Sequence, residues 1–144
     1  MMINDVKVGN TLWLHITGTG PTSNTRAEEL QKKHPTAVVE KKGRKYIYCR
    51  LKNGYSTEQF HYEDWAGKLY GNCLVAEAYS AFSIKVIAFK TEKEMRESVR
   101  RLELINKLRT YLEARYQITD KAFCPSDYPL ENVEQACSLL GMEE

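Results

Sequence analysis

Arg44, Tyr46, Tyr48 and Arg50 recur at every second position of one short stretch, so in an extended chain all four point the same way. Guanidinium groups neutralise phosphates, and phenolic rings stack on bases or anchor protein interfaces. Lys41, Lys42 and Lys52 flank the four. From Lys32 to Lys52 there are eight Lys and Arg residues against one acid, Glu40. That is a local +7 in a chain of net charge +2, which leaves −5 for the remainder. Such asymmetry steers an anionic partner even when the whole molecule is near neutral. Lys41, Lys42, Arg44, Tyr46, Tyr48, Arg50 and Lys52 are therefore the candidate partner-binding set. Two plainer readings stand beside it. The cations could simply keep a hairpin soluble and its edges unpaired. The two tyrosines could be the floor beneath a covering helix.

Constellations that perform reactions are not found. The sequence has no Gly-x-Ser-x-Gly elbow, no phosphate loop and no His-Glu-x-x-His. Gly18 and Gly20 lack the rest of a dinucleotide fingerprint. The cysteines never come as Cys-x-x-Cys, which argues against a structural zinc site. His61, Glu63 and Asp64 are three ligand types in a row, but one such cluster is a weak signal. His15 and His34 have no partner visible in the sequence. Cys49 and Cys137 sit among apolar neighbours and read as small core residues. The expectation is no catalytic residue, no metal and no cofactor.

These side chains need a scaffold, and its character changes near residue 90. Before that point short alternating runs are separated by turn signals. Thr11 to Thr17 alternates, with Leu12, Leu14 and Ile16 on one face and Trp13, His15 and Thr17 on the other. Val6 to Asn10 reads as a lead-in strand, and Gly18 to Asn24 as a loop followed by a turn or two of helix before Pro35. Ala37–Lys41 and Arg44–Leu51 read as a hairpin around Lys42-Gly43, where a glycine could take a positive φ. Its second strand puts Lys45, Ile47, Cys49 and Leu51 on one face. Asn53-Gly54 is a turn, and 56–62 a strand with Phe60 and Tyr62 on one side. Residues 65–72, with two glycines, read as a loop. Strands over 74–79 and 83–89 complete the set. Short strands at this spacing suggest a small barrel or strongly bent sheet.

Residues 91–116 read as a long helix. Thr91 and Glu94 form a capping box, and Met95, Val99, Leu102, Ile105, Leu108 and Leu112 make one apolar stripe. That stripe suits intramolecular packing; a homodimer seam is the alternative. After a connection over 117–128, Leu130, Val133, Cys137 and Leu140 mark a second helix, opened by Pro129 and stopped by Gly141.

The whole chain fits one domain: 144 residues, 42% hydrophobic and 28% charged. No apolar run approaches the ~20 residues of a membrane helix. Residues 1–10 lack the basic-then-apolar profile of a secretory signal. Four scattered cysteines, Cys49, Cys73, Cys124 and Cys137, do not make a disulfide framework. The expected location is the cytoplasm of a bacterial host.

Three segments carry a resemblance. Val6-Lys7-Val8-Gly9-Asn10-Thr11-Leu12-Trp13, then Val38 to Tyr48 (Val-Val-Glu-Lys-Lys-Gly-Arg-Lys-Tyr-Ile-Tyr), then Leu108-Arg109-Thr110-Tyr111-Leu112 are similar to the small β-barrel proteins encoded by many phages and prophages. The chain departs from that pattern with Asn10 where those proteins have aspartate, and with an enlarged Gly18–Pro35 segment. The resemblance implies an SH3-like barrel and a phage accessory role, with no catalytic residue to carry over.

Together these readings give an α+β chain: a small SH3-like barrel over 1–90, then a C-terminal helical hairpin over 91–144 packed on or beside it as one unit. The expected function is that of a non-catalytic phage-type binding protein. It would dock on a bacterial host protein or nucleoprotein complex, for instance as an anti-CRISPR-like inhibitor of a defence system. Direct nucleic-acid binding through the basic and aromatic strand is the alternative.

Overall fold

The computed structural model describes residues 5–18, 21–54, 57–76, 84–116 and 125–141. Along these residues the order is β1 (Thr11–Gly18), α1 (Pro21–Lys33), β2 (Thr36–Lys42), β3 (Tyr46–Leu51), β4 (Thr57–His61), α2 (Asp64–Tyr70), β5 (Leu74–Ala76), β6 (Ile84–Phe89), α3 (Glu92–Tyr116) and α4 (Leu130–Leu139), with a 3-10 turn at Pro125–Asp127. Each strand pairs antiparallel with the next, and β6 returns to β1 from Trp13–Phe89 to Gly18–Ile84, which closes a barrel. The chain is α+β, with a barrel at its centre.

The period-two pattern explains the wall. Leu12, Leu14 and Ile16 of β1 and Ile47, Cys49 and Leu51 of β3 are buried, with Val39, Phe60 and Val86, in one interior core. β6 is apolar on both sides for a reason: Ile84, Val86 and Ala88 fill the interior, while Ile87 and Phe89 face outward beneath α2 and α3 with Ala66, Tyr70 and Cys73. A third cluster joins the C-terminal helices, where Leu104 and Ile105 of α3 meet Val133 and Cys137 of α4. The long helix lies over β1, β6 and α2. One half of the predicted capping box forms at its start, the Glu94 N–H donating to Thr91 Oγ1 at 3.1 Å, while Glu94 Oε2 has no hydrogen-bond partner among the described residues.

Four local readings of the sequence need correction. Val6 to Asn10 is a turn, not a strand: Gly9 takes φ 93°, and Asn10 Oδ1 accepts the Lys7 N–H at 2.9 Å. The 18–24 loop gives way to helix from Pro21 onward. Its Pro, Thr, Ser and Asn read as loop formers, yet proline suits a first helical position where its missing N–H costs nothing. Residues 65–70 belong to α2, whose Ala66 and Tyr70, four apart, are buried; Gly71 ends it at φ 88°. Gly43 does not use a positive φ. It is the backbone's close approach that favours glycine, because a Cβ there would stand 3.3 Å from the Tyr46 carbonyl oxygen. Asn53 instead takes the left-handed conformation, at φ 64°.

α1 completes the barrel at its weakest seam. β1 and β2 are in register only from Thr11–Val38 to Trp13–Thr36, so the later part of β1 needs other partners. Pro35 supplies one, its carbonyl accepting the Leu14 N–H at 3.0 Å. The Gln31 amide supplies two: Oε1 accepts the Ile16 N–H at 2.6 Å, and Nε2 donates to the Leu14 carbonyl at 2.8 Å. Ala27 and Leu30 of the same helix enter the barrel core. Its C-terminal end is tied down too. His34 is buried with Nδ1 2.6 Å from the Lys52 carbonyl oxygen, which makes Nδ1–H the donor, and Asn53 Nδ2 donates to the Lys33 carbonyl at 3.1 Å.

Candidate binding surface

The alternation in β3 places Ile47, Cys49 and Leu51 in the core, so Tyr46, Tyr48 and Arg50 stand on the outer wall. Both tyrosines are half-buried and Arg50 is exposed. Register then adds neighbours that a linear sequence does not reveal. Across the wall run three rows: Val38, Arg50 and Thr57; Lys41, Tyr48 and Gln59; then Tyr46 and His61. A bulge between Val39 and Lys41 sets this phase, because Glu40 is the extra residue in β2.

The middle rows form a connected aromatic strip. Lys41 Nζ lies 5.7 Å from the centre of the Tyr48 ring, within cation–π range. Gln59 Nε2 donates to the Tyr48 hydroxyl at 3.4 Å. Tyr46 meets His61 edge-on with ring centres 5.5 Å apart, and His61 Nε2 is 2.6 Å from Glu63 Oε1. His61 and Glu63 thus meet as their spacing allowed. Among the described residues no group of three or more metal-ligating side chains gathers here or elsewhere.

Charge is divided unevenly over this surface. Lys41, Lys42, Arg44 and Lys45 are all exposed at the tip of the β2–β3 hairpin, so Lys45, assigned by alternation to the apolar face, belongs instead to the basic end. Arg50 is different: its Nε donates to Glu40 Oε1 at 2.6 Å, and that hydrogen bond raises its pKa and offsets its charge. Lys52 sits beyond the far end of β3, six residues from Tyr46, about 20 Å along an extended chain. Its backbone serves the fold, receiving His34 and donating to the Thr36 carbonyl at 2.8 Å. The seven sequence-derived residues therefore occupy a basic tip (Lys41, Lys42, Arg44), an aromatic middle (Tyr46, Tyr48), an ion-paired row (Arg50) and a distant turn (Lys52). Val38, 43% exposed and opposite Arg50 in the register, puts apolar surface beside the ion pair. The sequence reading did not place Gln59, His61 or Val38 on this face; register brings them in.

Burial pushes the thiol of Cys49, inside the barrel, up to about 12, with Glu40 adding to the effect, and that of Cys73, outside the ring beneath the helices, up to about 11. Neither is a nucleophile at neutral pH. Glu58 lies opposite Cys49 in the register; burial raises its pKa and His34 opposes that rise.

What folds here is a phage-type small domain: a closed barrel with an outward basic and aromatic face on one side and a helical cover on the other. The chain belongs to the phage ProQ C-terminal-like domain family, whose model matches residues 1–144. No curated protein and no solved structure matches the chain.

Proposed function

We propose that this is a non-catalytic phage-type binding protein that docks on a bacterial host protein or nucleic-acid-handling complex through the outer face of β2, β3 and β4. The barrel is read as SH3-like and the two C-terminal helices as a hairpin. One observation carries the reading: Tyr46 and Tyr48 are half-exposed on the outer wall, while α3 lies over β1 and β6. Tyrosine and arginine are favoured interface anchors, and the exposed Val38 extends the apolar part of the face. Inhibition of a defence enzyme is one outcome such docking could have. The location in this reading is the bacterial cytoplasm.

Direct nucleic-acid binding is the second reading, favoured by the exposed cations at the hairpin tip beside the aromatic strip. The experiment is a low-salt pull-down from bacterial lysate, with and without nuclease. It compares the wild type with Arg44→Glu/Tyr46→Ala/Tyr48→Ala. A partner kept after nuclease and lost in the variant supports protein docking. Loss on nuclease, with a mobility shift of labelled DNA or RNA at about 50 mM salt, supports the second reading. No retention and no shift overturns both.

A further inference from the structure

On another part of the barrel wall, α1 and α3 flank β1 and leave a groove of about 550 Å³ between them. That volume is in the range of small-molecule sites. Its apolar lining comes from Met95 and Val99 of α3; Ile16 of β1 borders it with its side chain in the barrel core. His15 lies beside them, its ring 5.7 Å from that of Tyr70, and neither ring nitrogen has a hydrogen-bond partner among the described residues. The walls carry both signs of charge. Arg96 and Arg100 are already engaged, with Glu92 and with Glu134 at 3.7 Å. Glu28 and Lys32 on α1 and Glu103 on α3 make no ion pair among the described residues.

We propose that this groove binds a small zwitterion with a large apolar side chain, of the α-amino-acid class. The side chain rests on Met95 and Val99; the ammonium group meets Glu28 and Glu103, and the carboxylate meets Lys32. An anion alone would leave two carboxylates facing it, and a cation alone would meet the lysine. A methionine thioether is a favourable neighbour for an aromatic ring, which orders phenylalanine ahead of leucine.

The test is calorimetric titration of the full chain with L-phenylalanine, L-leucine, phenylacetate and phenethylamine, each to about 10 mM. His15 ring signals are followed by NMR in parallel. Saturable 1:1 binding of L-phenylalanine is expected, with movement of the His15 signals and at least about tenfold weaker binding of the two singly charged probes. Glu103→Lys and Lys32→Glu, both exposed and outside the core, each weaken it about tenfold with the circular dichroism unchanged. If a variant does not fold, Glu103→Gln and Lys32→Gln replace it. No saturable binding, equal binding by the singly charged probes, or unchanged affinity in folded wall variants overturns the proposal. The outcome is independent of the docking face, which is formed by other strands.

Discussion

Gln31 holds the backbone at Leu14 as a neighbouring strand would, its amide donating to the Leu14 carbonyl at 2.8 Å while accepting the Ile16 N–H at 2.6 Å. One side chain thereby fills a gap that β2 leaves in the barrel. Gln31→Leu keeps the approximate volume and removes both bonds. It should destabilise the protein by about 2–4 kcal/mol, since each stranded backbone group costs about 1–3 kcal/mol. Urea unfolding measures this, and a midpoint equal to the wild type's would show that water replaces the amide without loss.

Tyr46 and Tyr48 face out, so each truncation to alanine should cost about 1 kcal/mol or less. Phe60, fully buried in the interior, should cost about 3–5 kcal/mol on the same change. Thermal unfolding of the three variants checks the ordering. If either tyrosine variant matches Phe60→Ala, the ring is part of the core and the docking face must be redrawn.

Acid sensitivity should have a component from His15. Burial holds its imidazole below the ordinary value of 6.5. Between that depressed value and 6.5 the unfolded chain carries the proton and the folded chain does not, so stability rises with pH across the window. The contribution is complete above about 6.5 and is lost as the pH falls through the folded value. His15→Gln should flatten this part of the profile, read as urea midpoints from about pH 5 to about pH 7.5. Glu58, whose pKa is raised, has the opposite sign, so the difference between the two proteins isolates the histidine. A parallel pair of profiles would refute the assignment.

Cys49 and Cys73, with thiols at about 12 and about 11, should resist alkylation in the folded protein at pH 8 and react only after unfolding. Mass spectrometry of iodoacetamide-treated protein, with and without urea, reports this directly. Rapid native labelling at Cys49 would mean that the barrel opens far more readily than its packing implies.

The wall of the barrel was legible in sequence wherever one face is wet. Leu12-Leu14-Ile16 and Ile47-Cys49-Leu51 alternate, and the structure buries those residues. The stripe of α3 was equally clear. α2 was not, because Gly67 and Gly71 hide it. Gly71 caps the helix, and at Gly67 a Cβ would approach the hydroxyl of Tyr62, just ahead of the helix, to 3.3 Å, a contact that helix propensity does not encode. α1 was shortened because its first residues are also loop formers. At the candidate site the faces of β3 could be read, but the neighbours could not. Pairing of Tyr48 with Gln59, and of Tyr46 with His61, depends on register, and the bulge at Glu40 shifts the β2 side by one residue. The Glu40–Arg50 hydrogen bond, which narrows the basic patch, is likewise a cross-strand contact between residues ten apart in sequence.

The ring closure between β1 and β6 has a further consequence. A closed ring leaves recognition to side chains rather than to main-chain pairing. Outward residues of β2, β3 and β4 share a single backbone layer with the inward ones, yet they contribute little to holding the ring together. Replacements on that exterior can accumulate while the shape is preserved, so one scaffold could be retargeted step by step as a counterpart changes.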